Sequence, residues 1–439
     1  MTYAEAVARL FALRGGEHAG MRPGLERIEG LLAALGHPED RYPLVQVGGT
    51  NGKGSISALL ATILKHAGRR VGLYTSPHLC SFRERIRVNG EPIPADAVID
   101  GVDALATLIA RVDATMFEAT TALALDHFAR ESVDVAVLEV GLGGRLDATT
   151  VGRPAATVLG RIDLDHEAYL GRTLPEIAAE KAAIIRSGQA VSAAQTPEVA
   201  DVIVRRAAAA RVPLLLEGRD LAVAVDEQSL AGQRITCTGP GWRLAAIDLP
   251  LLGVFQPENA LLAIATSRVL GAGESAIRGG VARTRWPGRF DVVRRDPFLV
   301  LDGAHNPAGA RALAFSLRKV FGDQPLTLVL GLSEDKDARA FLAALAPLAT
   351  RLILTRASNP RAADPRVLTR ALPPTPAVVE TAESAAAALR MATGAGHTPI
   401  ICVAGSLFLI GEVLTHLGGE PDKPCSIEKG TDSIETLFS

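Results

Sequence analysis

Residues 44–68, LVQVGGTNGKGSISALLATILKHAG, constrain the fold more than any other part of the sequence. The apolar start is typical of a buried strand, the glycine-rich centre of a tight loop, and the remainder of an amphipathic helix. In such a loop, successive backbone N–H groups form an anion site, to which the positive end of the following helix contributes. Strand, loop, lysine, serine and helix in this order predict a phosphate-binding loop in an α/β domain.

Further apolar, β-branched runs at 71–75, 133–140 and 155–162 alternate with helical patterns, which indicates a mainly parallel sheet covered on both faces. Residues 212–252 carry turn signals every eight to ten residues and predict a small antiparallel insert. After TRWPGRFDVVRRDP the alternation restarts. We therefore predict an α/β fold with an N-terminal P-loop domain at 1–287 that contains the insert, a C-terminal Rossmann-like α/β domain at 288–420, and a polar tail at 421–439.

Composition narrows the class of protein and its location. The formal net charge is −2, whereas nucleic-acid-binding proteins are usually basic. Apolar runs are broken within about ten residues, so no membrane-spanning helix is expected. The first twenty residues lack the uninterrupted apolar core of a signal peptide. The four cysteines have no metal-site spacing, and we expect a cytoplasmic protein.

Lysine is rare in this chain, because 39 of the 46 basic residues are arginine. Only Lys53, Lys65 and Lys181 occur in the first 300 residues. Arginine serves as well as lysine at most surface positions, so a lysine retained here marks a place where arginine would not do. Lys53 and Lys181 are therefore candidates for chemistry.

The loop GTNGKGS has a third glycine, Gly54, between the lysine and the serine, and in this it resembles the Mur ligase superfamily of ATP-dependent carboxylate–amine ligases. Only 47 residues precede Gly48, fewer than the carrier-binding domain of the cell-wall members would need. The chain thus resembles the folylpolyglutamate synthase and dihydrofolate synthase branch over at least 420 residues. An ordinary P-loop kinase is disfavoured by the third glycine.

The resemblance implies an ATP site and a Mg²⁺ site. The motifs YTSPHL, LEVGLGGRLDATT and LDH imply Mg²⁺ ligands Ser76, Glu139 and His166, and the motifs QPENA, WPGRFD and DGAHNP contribute nucleotide contacts. A carboxylate at the end of an apolar strand, such as Glu139, also lies where open α/β sheets bind ligands. The implied ATP-binding residues are Gly49, Thr50, Asn51, Gly52, Lys53, Gly54, Ser55, Asn259, Arg289 and Asp302.

The remaining implied roles concern the two substrates and one modified lysine. Lys181, in AAEKAAI, matches a lysine that family members often carbamylate, and K⁺ is a further candidate cofactor. His305 is implied near the incoming glutamate as a catalytic group, with Ser406 as a second glutamate contact. The segment ATMFEATTALAL resembles the lining of a pterin pocket, which implies that Thr115, Phe117 and Asp147 contact the pteroate. An aromatic face and a carboxylate suit a pterin chemically.

Three positions depart from the family motifs: Thr150 replaces asparagine, Ala183 replaces glycine and Phe255 replaces histidine. The sequence predicts a monomeric ligase that joins L-glutamate to dihydropteroate, to folate polyglutamates, or to both, through an acyl phosphate. A folylpolyglutamate synthase without dihydrofolate synthase activity would share every ATP motif and stays open. A non-catalytic nucleotide-binding protein would be expected to have lost one of Lys53, Glu139, His166 or Asp302, and all four are present.

Overall fold

The computed structural model describes residues 1–13, 22–394 and 398–418. The predicted polar tail at 421–439 lies outside the described residues. The chain forms two compact units, each described by itself below. Unit 1 comprises Met1–Ser76, Arg83–Pro250 and Gln256–Arg285, and unit 2 comprises Pro77–Phe82, Leu251–Phe255 and the chain from Trp286 onward.

Unit 1 is built on an eight-stranded sheet. Its strands are β1 (Leu44–Gly48), β2 (Val71–Tyr74), β3 (Ile86–Val88), β4 (Glu91–Pro92), β5 (Val135–Glu139), β6 (Pro154–Leu159), β7 (Gln189–Ser192) and β8 (Leu214–Leu216). Its helices are α1 (Tyr3–Ala12), α2 (Glu26–Ala34), α3 (Lys53–His66), α4 (Ala95–Val112), α5 (Met116–Arg130), α6 (Glu167–Leu170), α7 (Leu174–Ala182), α8 (Pro197–Ala210), α9 (Gln256–Val269) and α10 (Glu274–Arg283).

The strand order is β4-β3-β2-β5-β1-β6-β7-β8. The six strands β2, β5, β1, β6, β7 and β8 are parallel to one another. Short β3 and β4 add an antiparallel edge. Strands β1 and β5 are buried along their whole length, as continuous apolar runs covered on both faces should be. Because β1 lies between β5 and β6, the loops that follow these three strands meet at one edge of the sheet.

A separate three-stranded antiparallel sheet follows in the chain, with strands β9 (Ala222–Ser229), β10 (Gly232–Gly239) and β11 (Trp242–Leu249). It occupies most of the segment in which turn signals indicated an insert. Helix α9 begins at Gln256 and is almost wholly buried, so the chain returns to the α/β core of unit 1 after the insert.

Unit 2 contains a six-stranded sheet in the order β12-β13-β17-β14-β15-β16, in which only β12 runs antiparallel. The strands are β12 (Asp291–Arg295), β13 (Phe298–Asp302), β14 (Leu326–Leu330), β15 (Arg351–Leu354), β16 (Val378–Thr381) and β17 (Ile400–Ala404). The helices are α11 (Pro307–Phe321), α12 (Ala338–Leu345), α13 (Pro365–Ala371), α14 (Ala385–Thr393) and α15 (Leu407–His416). The predicted α/β fold with two parallel-dominated sheets is confirmed.

Candidate active site

The phosphate loop is shaped by glycines that have no room for a side chain. Gly49 has φ +129°, and a Cβ built on it would lie 3.0 Å from the backbone of Gly160, which follows β6. Gly52 has φ +87° and caps α3, where an added Cβ would overlap the side-chain oxygen of Asn259. Both positions need the left-handed conformations that glycine tolerates. The loop is thus held tightly between the β6 loop and α9.

Lys53, the first residue of α3, folds back over the loop. Its Nζ donates to the carbonyl oxygens of Gly49 and Thr50, each at 3.2 Å. The Thr50 hydroxyl bridges to the loop after β6, because it donates to Asp163 O at 3.0 Å and accepts from Asp163 N at 3.1 Å. The backbone N–H groups of Thr50 and Asn51 donate to Arg161 O. Lys53 therefore places a cation directly at the predicted phosphate cradle.

Lys181 reaches the same point from another element. It lies in the last turn of α7, its residue is 4% exposed, and its Nζ donates to Gly49 O at 3.1 Å. Two of the seven lysines of the chain therefore converge on one carbonyl of the phosphate loop. The alternative of a solvated helix face is excluded for Lys181 by this burial.

Glu139 and Ser76 lie together at the carboxyl ends of the neighbouring strands β5 and β2. The Glu139 carboxylate is 5% exposed and accepts a hydrogen bond from Ser76 N at 3.1 Å. The register of the strands, which pairs Tyr74 with Leu138, brings these two predicted metal ligands side by side. A buried carboxylate with a hydroxyl residue beside it offers the oxygen donors that Mg²⁺ prefers.

His166 lies in the loop between β6 and α6, which the Thr50 hydroxyl ties to the phosphate loop through Asp163. Its backbone is left-handed, with φ +51°, and its N–H donates to Asp165 Oδ1 at 2.9 Å. The His166 side chain is 29% exposed, and its Nε2 lies 3.9 Å from Asp165 Oδ1. The structure thus places His166 on the same sheet edge as Glu139, on the far side of the phosphate loop.

The loop 140–150 after β5 is held from within by Asp147 and Thr150. Asp147 is buried and accepts from Leu142 N, Thr149 N and the Thr149 hydroxyl at 2.9, 3.0 and 2.6 Å. Burial raises the pKa of its carboxyl group against these hydrogen bonds. The Thr150 hydroxyl donates to Gly144 O and accepts from Gln46 Nε2. The threonine at this variant position therefore has hydrogen-bond partners both as a donor and as an acceptor.

The same loop connects to α7 and to the aromatic residue predicted for the pterin pocket. A Cβ added to Gly144 would lie 2.7 Å from Glu180 O, so the loop packs on the helix that carries Lys181. A Cβ added to Gly141 would lie 2.5 Å from the Phe117 ring, which also packs on Tyr74 with centroids 5.9 Å apart. Phe117 and Asp147 thus belong to one cluster around loop 140–150.

Thr115 has a clear structural task. It is the N-cap of α5 and forms a capping box with Glu118, in which the Thr115 hydroxyl and Glu118 carboxylate bind each other's backbone N–H. Glu118 also accepts from the buried guanidinium of Arg27 at 2.9 Å. The substrate contact expected of Thr115 remains a prediction.

Asn259 and Ser55 are joined by Gln256, a residue for which the sequence predicted no role. Gln256 is fully buried, donates to the Ser55 hydroxyl at 3.3 Å and accepts from Asn259 Nδ2 at 3.2 Å. Its position three residues before Asn259 on a helix was the signal available in the sequence. Gln256 thus holds Asn259, a predicted ATP-binding residue, next to the phosphate loop.

Arg85 is a second residue that the sequence did not single out. It is 1% exposed, and burial lowers the pKa of its guanidinium to about 9, while the nearby Glu139 carboxylate acts in the opposite direction. Buried arginines are uncommon unless an anion accompanies them. Arg85 therefore belongs to the electrostatic surroundings of Glu139, and only its neighbourhood in space reveals this.

In unit 2, Asp302 ends β13 and holds the turn that follows it. Its carboxylate is 3% exposed and accepts from Phe290 N at 2.7 Å and Ala304 N at 2.8 Å. Burial raises the pKa of Asp302, and the hydrogen bond from Ala304 N and the positive charge of Arg289 oppose this. Arg289 donates to Gly288 O at 3.0 Å and packs on Gly303. The predicted nucleotide residues of this unit thus form one cluster.

His305 and Ser406 lie at the same edge of the unit 2 sheet. Asp302 pairs in register with Ala404 of β17, so the loops after the two strands are neighbours. His305 Nδ1 lies 2.8 Å from Gly303 O, which makes Nδ1 the donor and leaves Nε2 without its proton in the neutral ring. Ser406 caps α15 by accepting from Phe408 N at 3.2 Å. Phe255, the third variant position, packs on Gly253 in this unit.

The described residues also contain a group of side chains of the kinds that bind metals, outside the loops above. The only cluster of three His, Cys, Asp or Glu side chains with metal-site spacing found among them is His37, Glu39 and Asp40. None of the described helices is both long and apolar enough to cross a membrane.

The chain is similar to known proteins over most of its length. The Mur ligase middle domain matches residues 47–267, and the Mur ligase glutamate ligase domain matches residues 288–407. The dihydrofolate synthase/folylpolyglutamate synthase of Mycobacterium tuberculosis is 36% identical over 84% of this chain and 82% of its own length. A crystal structure of M. tuberculosis folylpolyglutamate synthase complexed with ADP and AMPPCP superposes with a TM-score of 0.88 at 34% identity, covering 95% of this chain and 100% of that one.

Two relatives are much longer, and this chain covers 52% and 50% of their lengths. A probable bifunctional folylpolyglutamate synthase/dihydropteroate synthase of Halobacterium salinarum is 39% identical over 94% of this chain but only 52% of its own length. The chain thus spans about half the length of this relative. Both Mur ligase domains match, and the mycobacterial relative is covered over most of its length. The chain therefore belongs to the Mur ligase family, in its folylpolyglutamate synthase/dihydrofolate synthase branch.

Proposed function

We propose that this protein is an ATP-dependent ligase that joins L-glutamate to dihydropteroate, to reduced folates, or to both, through an acyl phosphate. The observation that carries the proposal is the convergence of Lys53 and Lys181 on Gly49 O of the phosphate loop. The ADP and AMPPCP in complex with the mycobacterial protein support an ATP site in this chain.

The chemistry needs activation of the acid, because a carboxylate has no good leaving group. A carboxylate oxygen attacks the γ-phosphorus of ATP, the bond to ADP breaks, and an acyl phosphate forms. The glutamate ammonium group loses one proton to water, and the resulting amine attacks the carbonyl carbon. The tetrahedral intermediate loses a second proton from nitrogen to the departing phosphate as the bond from carbon to the phosphate oxygen breaks, which leaves the amide. Lys53 would stabilise the charge on the transferring phosphoryl group.

The residues of unit 1 fit a Mg²⁺ ion. The buried Glu139 carboxylate and the adjacent Ser76 supply oxygen donors at one point of the sheet edge, and His166 would complete the set. When bound, Mg²⁺ would offset phosphate charge and polarise the phosphoryl oxygens. Carbamylation would turn Lys181 into an anion that can orient this ion. The N–H that a carbamate keeps can still donate to Gly49 O.

The acid substrate would lie at loop 140–150. Phe117, packed on Tyr74 and Gly141, offers an aromatic face for a pterin ring, and Asp147 offers a buried carboxyl group nearby. Arg289 and Asp302 of unit 2 are the proposed contacts to ATP phosphate and ribose, and His305 and Ser406 those to glutamate. A monomeric state, a cytoplasmic location and a role for K⁺ remain predictions.

The decisive experiment measures ATP-dependent ADP release with dihydropteroate and with tetrahydrofolate, each with and without L-glutamate. Glutamate-dependent turnover of both acids is expected. Turnover of tetrahydrofolate alone would assign the narrower alternative, a folylpolyglutamate synthase without dihydrofolate synthase activity. The ligase proposal would be refuted if neither acid supported glutamate-dependent ADP release and no ligation product formed.

A further inference from the structure

Three side chains of the kinds that bind metals meet where the chain enters the sheet of unit 1. His37, Glu39 and Asp40 lie in the connection between α2 and β1, and their ligand atoms are all within 4.8 Å of one another. This connection joins the amino end of β1, whereas the phosphate loop follows its carboxyl end. Five residues of strand, about 16 Å, therefore separate the cluster from the proposed ATP and Mg²⁺ residues.

Glu39 is the buried member of the cluster, and one of its oxygens is unpartnered. The Glu39 side chain is 8% exposed, and its Oε1 lies 3.0 Å from His37 Nδ1. Its Oε2 is buried and has no hydrogen-bond partner among the described residues. A buried carboxylate oxygen keeps its cost of desolvation unless a donor or a cation meets it, so such an atom requires an explanation.

No arginine neutralises this carboxylate in the part of the chain that the structure describes. Arg41 is the nearest arginine in the sequence, and its Nη2 donates to Gly36 O at 3.5 Å instead. The only basic side chain paired with Glu39 there is His37, which is 58% exposed. A cation held between Glu39 and its two neighbours would meet the unpartnered oxygen and offset the buried charge.

The backbone fixes His37 and Asp40 beside Glu39. His37 follows the end of α2 with φ +53°, and its N–H donates to Leu32 O at 2.9 Å. Its carbonyl oxygen accepts from Asp40 N at 3.2 Å, which closes the short 3-10 helix Pro38–Asp40. The last carbonyls of α2 form the negative end of that helix, and a negative helix end favours a cation nearby.

We propose that His37, Glu39 and Asp40 form a binding site for a first-row transition-metal cation such as Zn²⁺. One imidazole nitrogen and two carboxylates match the donors of zinc sites, whereas Mg²⁺ and Ca²⁺ prefer oxygen alone. Zinc bonds of about 2 Å place two ligand atoms roughly 3–3.5 Å apart. The separation of 3.0 Å between His37 Nδ1 and Glu39 Oε1 is close to this, and the exposed Asp40 carboxylate can rotate onto the same ion.

The site goes beyond the proposed ligase function and does not depend on it. It would tie the end of α2 to the turn that enters β1. The test therefore measures metal binding and stability and uses no turnover assay, so its result is independent of the ligase proposal.

Zn²⁺ is titrated calorimetrically into untagged, EDTA-treated full-length protein in excess Mg²⁺. The wild type should bind Zn²⁺ saturably at this site. His37→Asn, Asp40→Asn and Glu39→Gln should each weaken binding by about tenfold or more, because each removes a ligand. The matched controls His66→Asn and Asp96→Asn change an exposed histidine and an exposed aspartate of the same unit, and their affinity should equal that of the wild type.

Two further readouts separate a metal site from a cluster that only supports the fold. Zn²⁺ should raise the Tm of the wild type and of His66→Asn but not that of His37→Asn, because a ligand that binds the folded state stabilises it. Co²⁺ should give a visible absorption band that is absent in His37→Asn. Both signals should persist in His166→Asn, which lacks the imidazole of the proposed Mg²⁺ site.

Three outcomes would overturn the assignment. The first is the absence of saturable Zn²⁺ binding to the wild type. The second is equal Zn²⁺ affinity of the wild type and His37→Asn, whose exposed position makes a folding defect a minor concern. The third is loss of binding in His166→Asn with normal binding in His37→Asn, which would locate the ion at the proposed Mg²⁺ residues.

Discussion

Lys53 is the residue whose position at the phosphate loop allows the simplest test. Lys53→Ala should lower turnover on the order of 10²-fold or more, because one cation facing the phosphoryl group is lost. Steady-state ADP release measures this. Lys65→Ala, which removes an exposed lysine from the same helix, should leave turnover unchanged. A Lys53→Ala protein within threefold of the wild type would show that the loop is not at the chemistry.

Lys181 tests the modification that the resemblance implies. We predict that Lys181→Ala is folded but nearly inactive, that acetate partly restores its activity, and that Lys181→Arg is inactive because arginine cannot form a carbamate. Burial of the lysine is consistent with this, since carbamylation needs the neutral amine. A ¹³C NMR carbamate signal from protein equilibrated with ¹³CO₂, absent in Lys181→Ala, measures the modification directly. Full activity of Lys181→Arg would contradict the prediction.

The sequence predicted the functional side chains that belong to a contiguous motif. It missed side chains whose partners are distant in the sequence. Lys53 could be predicted because the loop, the cation and the helix are contiguous in the chain. Arg85 could not, because Glu139 lies 54 positions away. For Gln256 only the contact with Asn259 was accessible from the spacing, because its other partner, Ser55, lies 201 positions away. Nothing in a linear motif indicates that a glutamine or an arginine will be buried against such a partner.

Among the elements, α5 depends on a buried charge at its first turn. Glu118 joins the capping box of Thr115 to the guanidinium of Arg27, and both charged side chains are less than 8% exposed. Glu118→Gln should destabilise the protein by on the order of 3 kcal/mol, because it removes the buried one of the two carboxylates paired with Arg27 and leaves only the exposed Glu26. Urea unfolding measures the change.

The matched control is Asp103→Asn, which breaks the exposed pair with Arg9 and should change stability little. Because Phe117 lies in the same first turn, Glu118→Gln should also raise the KM for the pteroate substrate more than the KM for ATP. Equal stability of the two variants would show that the Arg27 pair contributes nothing to α5.

The elements themselves were largely predictable from the sequence. Buried strands such as β1 and β5 show as unbroken apolar runs, and Thr173 begins α7 with a capping box that its sequence displays. Short strands were less accessible, because β4 has two residues and owes its pairing to β3 rather than to any pattern of its own.

On the scale of the whole molecule, unit 2 is not a contiguous piece of chain. A fragment of residues 286–439 would lack Pro77–Phe82 and Leu251–Phe255. The missing parts include Leu79, whose backbone packs on Gly411 of α15, and the buried Leu251 and Leu252. Each buried leucine contributes about 2 kcal/mol, which is a large share of a net stability of about 5–15 kcal/mol.

We therefore expect this fragment to lack a cooperative unfolding transition and to bind a hydrophobic dye, as measured by near-ultraviolet circular dichroism and fluorescence. The full-length protein serves as the control. A sharp, two-state transition of the fragment at a temperature close to that of the full chain would contradict the prediction. The sequence indicated one change of composition near residue 287 and gave no sign that two earlier segments would join the second unit.

The chain passes between the two units at residues 76–77, 82–83, 250–251, 255–256 and 285–286, five times in all. In genetic terms, this makes the gene resistant to shuffling. A single recombination breakpoint near codon 286 would take residues 286–439 from one parent gene. The two earlier segments of unit 2, Pro77–Phe82 and Leu251–Phe255, would then come from the other parent. Such a hybrid would inherit a mismatched surface against α15 even if each domain match were complete. The two units of this protein should therefore descend together, and compatible segments at 77–82 and 251–255 would have to accompany any exchange.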